Sequence, residues 1–485
     1  MFAMRLLIAL LFSTALTTHA ARAADITYEG ADQIKTKILS YLPKQMGKAG
    51  VVDVRPGTDA YELRVDPSLL LKDIDPKNFT ISGLKPLLAT IRPLADGTWN
   101  YSQSDSLDVK GTLKAGEETS DFTYKIDAFR FDGIYDPQIF YFRNAEATAN
   151  GISITSTSGP QSVAASFGPM IANLDSRPEP QGKVTLHSAT SATQFAEKVT
   201  DPSGMQVDVT ADSLAVDVAL AGLAFKPLQD IVLFAMEKAE DNTETLTNED
   251  KARLKQMLGA SLPIFDKLAE TIDFTNFGVT TPIGQFGAKK LSYSITSTGL
   301  SDGAKAGFGI ALDQPSVPSE LVPDVYRAAV PDSFAVSVAV DNLNLESGIR
   351  YFLEHADFEA PEPLNDQQSA EIQRIFLPGG LVTIRYDDVR ARSAIYDVSL
   401  SGTTTFDPKA EAQQNTEMTI YAKDLDKTIA YLQQNAQAVP DFNQAAFFVM
   451  MAKGMAKQTP DGRSMWTVSV DETNKVKING QDLPF

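Results

Sequence analysis

The 485-residue chain contains no cysteine, which removes disulfides, thiol catalysis and thiolate metal sites together. Histidine is almost as scarce. Beyond His19 there are only His187 and His355, far apart and each without a neighbouring ligand pattern, so a zinc site is not expected. A serine hydrolase triad has few possible bases, and no G-x-S-x-G is present. Positive charge is in deficit, 43 basic against 62 acidic residues for a net charge of −19. Such a surface repels nucleic acid and anionic headgroups at long range, so neither nucleic-acid binding nor simple electrostatic adsorption to membranes is expected. Long apolar runs are missing as well: the longest outside the leader, 445–452, is about half of what a transmembrane helix needs. No transmembrane segment and no cofactor are therefore expected.

The first 23 residues read as an export signal. Met1–Arg5 carries one positive charge, Leu6–Leu16 is apolar and uncharged, and Ala21-Arg22-Ala23 supplies the small-x-small pattern of signal peptidase, with Thr18-His19-Ala20 as a weaker alternative. The apolar run is too short to span a bilayer, and without cysteine no lipoprotein anchor forms. A periplasmic protein beginning at Ala24 is expected. Removal of Arg5 and Arg22 leaves 41 basic against 62 acidic groups, a net charge of −21.

Helical spacing of Ile34, Ile38 and Leu42 ends at Pro43. From there to about residue 190 the apolar period is two, as in Tyr61–Val65, in Phe122, Tyr124, Ile126 and Ala128, and in Ile152–Thr155 and Val184–Leu186. Pro56-Gly57, Asp96-Gly97, Asp132-Gly133, Asn150-Gly151 and Ser158-Gly159-Pro160 separate these runs as turn signals. An antiparallel sheet with one buried and one wet face has this pattern. At the other end, Trp466–Val470 and Val476–Gly480 read as a closing hairpin. Counting back in twos from Phe485 fails the apolar alternation of a lipid-facing barrel strand.

The second half contains a repeat. ADSLAVDVAL at 211–220 matches PDSFAVSVAV at 331–340, and the register continues through Leu223/Leu343 and Leu233/Leu353. Each copy predicts a strand with Leu214, Val216, Val218 and Leu220, or Phe334, Val336, Val338 and Val340, on one face. A helix, an acidic linker and a second helix follow, the second opening at Thr247 or Asn365, both good N-caps. A looser third instance spans Met418–Ala456. The expected fold is β-rich α+β, with large antiparallel sheets, helix pairs and an internal duplication in the C-terminal half. The expected segments are the signal peptide 1–23, a β-rich domain 24–200, and α+β repeat units 201–325 and 326–485.

Among candidate chemistries, Gly303–Gly309 lacks the Gly-Lys-Ser/Thr ending of a phosphate loop and reads as a turn into a strand. Asp73-Ile74-Asp75 and Asp387-Asp388 lack an EF-hand's glycine and distal glutamate. Arg385–Arg392 is the densest basic patch, and its arginines are expected to pair with carboxylates across strands. No catalytic pair and no metal ligand is assigned. Two segments, Leu228–Met236 and Ala445–Met455, are apolar around most of the helix circumference. The second carries Phe447, Phe448, Met450, Met451 and Met455, adaptable side chains suited to the wall of an amphiphile-binding groove; the alternative is a helix buried against a sheet.

The leader, the amphipathic strands, the strand-Leu-helix unit Val336–Leu353 and the closing Lys475–Leu483 with Asn479-Gly480 resemble exported alphaproteobacterial proteins that share a domain of unknown function. At greater distance the chain is similar to AsmA-like envelope proteins, but lacks their membrane anchor. The resemblance implies curved sheets and a part in envelope lipid homeostasis, and brings no catalytic residues. The function expected is non-enzymatic binding or scaffolding in the cell envelope, with a lipid or another amphiphile as partner. The alternatives are an envelope enzyme acting on glycans through carboxylates, and a structural or interaction protein.

Overall fold

Alternation of apolar with Ser, Thr and charged residues over 15 residues or more leaves the chain little choice but long antiparallel strands. In a computed structural model these strands build a β-rich α+β fold. The structure describes residues 26–482 apart from 41, 43–46, 48–49, 72–76, 117, 138–140, 241–245, 359 and 410–413. The expected export signal at 1–23, the sequence 73–75, most of the first acidic linker and residue 485 lie outside the described residues. The chain forms two compact units, one up to Lys267 and one from Leu268.

Unit 1 opens with α1 (Tyr28–Leu39), β1 (Val52–Pro56), β2 (Tyr61–Val65), β3 (Phe79–Ser82) and β4 (Leu87–Pro93). Two long strands, β5 (Trp99–Ala115) and β6 (Glu118–Asp136), are followed by β7 (Tyr141–Asn150), β8 (Ile152–Ser158), β9 (Gln161–Phe167) and β10 (Met170–Pro178). The unit continues with β11 (Val184–Thr200), β12 (Gln206–Leu223), α2 (Phe225–Glu240) and α3 (Asn248–Ala260). All pairings are antiparallel. β6 pairs along one half with β8 and along the other with β7, and β11 splits in the same way between β9 and β10. Ala31 and Ile34 of α1 pack on Val52, Val54, Tyr61 and Leu63, and the core continues into Tyr101, Tyr135, Phe142 and Ala145. Phe131 and Phe142 meet edge to face at 4.8 Å.

The expected turns at Asp96-Gly97, Asn150-Gly151 and Ser158-Gly159 are present, each with the glycine at positive φ. Asp132-Gly133 is not a turn but lies inside β6. The glycine serves packing there: a Cβ on Gly133 would stand 2.8 Å from the Phe142 ring and 2.9 Å from the Asn144 carbonyl. A dipeptide that ordinarily marks a turn makes room for an aromatic ring in this strand.

Unit 2 is a meander of β13 (Lys267–Thr281), β14 (Gly284–Ser297), β15 (Ala304–Ser316), β16 (Ser333–Leu343), β17 (Val382–Arg392), β18 (Asp397–Phe406) and β19 (Gln414–Lys423). It closes with β20 (Lys457–Gln458), β21 (Ser464–Val470), β22 (Val476–Ile478) and β23 (Gln481–Asp482). The helix pair α4 (Leu345–His355) and α5 (Asp366–Phe376) interrupts the hairpin between β16 and β17. A second pair, α6 (Leu425–Asn435) and α7 (Asp441–Met455), stands between β19 and β21.

A strand followed by two helices thus occurs at β12, β16 and β19. The first two instances share local detail. Thr247 and Asn365 each close a reciprocal capping box, worth about 1 kcal/mol apiece. The β11–β12 register shifts between Val184 and Leu186, and the β15–β16 register between Ala304 and Ala306. Gly222 and Asn342 take positive φ at these bulges, and Gln194 and Gln314 do so further along. The register shifts and the positive-φ positions are each separated by the same 120 positions.

Candidate functional site

Directly opposed residues of an antiparallel pair share a face, so the register of unit 2 can be read as rows across the sheet. One row runs Tyr293, Ile310, Val336, Val389, Leu400, Ile420, Trp466. The next runs Ile295, Phe308, Val338, Tyr386, Gly402, Met418, Val468, Ile478. A third contains Leu291, Leu312, Phe334, Ala391, Val398 and Ala422. Bulges in β17 keep these rows in phase across its irregular stretch. The other face carries Lys290, Asp313, Arg392, Arg390 and Asp388. Leu291, Ala422 and Trp466 of the apolar face are buried, most of its other side chains are half-buried, and the cross-strand neighbours Ile295 and Phe308 are exposed.

Helix α7 stands over one end of this face. The Trp466 indole donates from Nε1 to the Ala452 carbonyl at 2.8 Å, and Asn479 donates from Nδ2 to the Met455 carbonyl at 2.7 Å. Phe442 packs against Tyr326 and Tyr431, whose hydroxyl bonds the Val325 carbonyl, and Lys453 pairs with Asp426 of α6 at 2.5 Å. These contacts fix the helix by its backbone and its ends, and only Ala446 of α7 is buried. Phe447 is 58 % exposed, Phe448 50 %, Met450 42 % and Met451 38 %; Met455 is half-buried. Four of the five sequence candidates therefore share an open apolar arc. The helix is not buried against the sheet: its composition is apolar on every side, yet one side alone finds a partner. No part in holding this helix was expected of Trp466 and Asn479, although the alternation Trp466, Val468, Val470 marks the indole as belonging to an apolar face.

A concavity of about 600 Å³ lies in unit 1. Arg55, Glu62, Thr90, Ser102 and Asp132 form one row across it. Asp53 is desolvated, but hydrogen bonds and charge from Lys35 at 3.3 Å and Arg55 at 2.8 Å overcome this and hold its carboxyl below the usual range. The Arg130 guanidinium, with the Ser102 hydroxyl, does the same for Asp132 against its desolvation. A glycosidase acid needs the opposite shift, so these two carboxylates do not serve as one.

The remaining candidates are engaged locally. Arg385 donates to Asp341 across strands at 2.8 Å and forms an ion pair with Asp387 on its own strand at 3.1 Å, and Arg390 reaches Asp388 at 3.6 Å. His187 pairs with Asp217 at 2.8 Å, and His355 bonds the Tyr351 carbonyl and stacks on its ring. Among the described residues no three His, Asp or Glu side chains gather to hold a metal ion. None of the described helices is long and apolar enough to cross a membrane. No protein-family model, curated protein or solved structure matches the chain.

Proposed function

We propose that this protein binds an amphiphile, a lipid or a fatty acid, in the cell envelope and performs no chemistry on it. The observations that support this reading are the half-open apolar face of the unit 2 sheet, with Ile295 and Phe308 exposed on it, and the exposed apolar arc of α7. Leaving such surface in water costs roughly 25 cal/mol per Å², and exposed apolar patches of this kind mark binding surfaces. An acyl chain laid along the Phe308 and Val338 row needs no specific polar contact, and methionines at the border adapt to its shape. In this reading residues 1–23 are an export signal, and the mature chain, beginning at Ala24, works in the periplasm. The recurring strand and helix-pair module is the product of an internal duplication, a reading supported by the matched bulges and positive-φ positions.

Uptake of a fluorescent fatty acid tests the binding. Met451→Asp is expected to reduce uptake at least tenfold with a melting curve close to wild type, because the side chain is already partly in water. A lowered melt with no uptake by either form contradicts the proposal and leaves a scaffolding or interaction role.

A further inference from the structure

An amphiphile is held mostly in membranes, and the open arc of α7 has the form of a contact with one. We propose that the arc formed by Phe447, Phe448, Met450 and Met451 seats unit 2 on a zwitterionic phospholipid bilayer. The proposal rests on the amphiphile reading for its purpose, since the bilayer is then the source of the ligand, but its physical basis is separate. From Phe442 to Ala452 the helix carries no charged side chain. Successive positions are about 100° apart, so Phe447, Met450 and Met451 fall within one side, next to Phe448. The Phe447 and Phe448 rings stand 6.0 Å apart, edge to face. The four large apolar side chains lie within five consecutive residues, about one and a half turns, and an interfacial helix enters the headgroup boundary by such a face to a depth of ~5–10 Å.

The area argues against a second copy of the chain. With two half-exposed phenylalanines and two methionines the arc offers on the order of 400 Å², about half of what each partner contributes to a stable dimer. Charge argues against an anionic surface: the chain has a net charge of −19, and the arc supplies no cation. The arc belongs to the same unit as the ligand face: Trp466 lies on that face and its indole holds the carbonyl of Ala452, the residue after Met451. The opposite arrangement, an apolar helix packed inward with its polar side out, is what a purely structural helix shows.

The test is flotation of the full mature chain with phosphatidylcholine vesicles. Wild type is expected to rise with the vesicles, and Phe447→Ser combined with Met451→Ser to rise at least tenfold less with an unchanged melting temperature. Leu321→Ser, another exposed apolar position, is expected to float like wild type. Adding phosphatidylglycerol should not strengthen wild-type binding. Wild type that stays at the bottom of the gradient overturns the proposal. So does a double variant that floats as well as wild type, or a dimer in the ultracentrifuge that the double variant dissociates while no form floats. Fatty-acid uptake in vesicle-free buffer separates this outcome from the fate of the ligand reading: uptake without flotation removes the bilayer contact and leaves the binding face standing.

Discussion

If Trp466 holds α7 over the sheet, truncating it should cost stability and loosen the helix at once. The side chain is buried at 7 % exposure, so Trp466→Ala removes over 200 Å² of covered surface, roughly 5 kcal/mol by area. Truncations of buried aromatic residues to alanine cost ~3–5 kcal/mol. It also leaves the Ala452 carbonyl without its indole donor. Trp466→Phe separates the two contributions: most of the packing stays, and the lost hydrogen bond and volume should cost about 2 kcal/mol. Urea unfolding followed by circular dichroism gives the magnitudes, and hydrogen exchange gives the location. Amides of α7 are expected to lose protection in both variants, while α1 in unit 1 keeps its own. A cost below about 1 kcal/mol for Trp466→Ala, or unchanged exchange across 441–455, would show that the indole does not anchor the helix.

Other consequences are equally local. Thr247→Ala and Asn365→Ala should each cost about 1 kcal/mol, seen as a small loss of helical ellipticity and a lower urea midpoint. Gly402→Ala should cost about 3 kcal/mol or prevent folding, since its Cβ would stand 2.1 Å from the Glu417 carbonyl oxygen; Gly97→Ala, with nothing within 4 Å of the new Cβ, should cost about 1 kcal/mol. Asp53 and Asp132 have depressed folded-state values, so the stability they contribute is present above the ordinary carboxylate range of about 4 and is lost as pH falls through their lower folded values. The urea midpoint of unit 1 should therefore fall below pH 4, and less steeply in Arg130→Ala.

The strands were legible because their period is local. Leu214 to Leu220 and Phe334 to Val340 alternate, and each set lies on one face of its strand. The caps at Thr247 and Asn365 were legible for the same reason, since a capping box spans four residues. Asp132-Gly133 misled because the need for glycine comes from Phe142 on the neighbouring strand. The state of α7 could not be read from composition. A helix apolar all round implies burial, and only the positions of Trp466, on a later strand, and Asn479, in the turn after β22, show that a single side of it is held. The binding face was hidden more deeply: Ile295, Phe308, Val338, Tyr386 and Met418 become one row only after six strands pair in register.

The central claim is that the unit 2 face takes up an acyl chain. Photo-crosslinking with a diazirine-labelled fatty acid, followed by peptide mapping, tests it most directly. Adducts are expected on Phe308, Val338, Met418 and Met451, competed away by unlabelled fatty acid. Adducts scattered over both faces of the sheet without competition, or confined to unit 1, would contradict it.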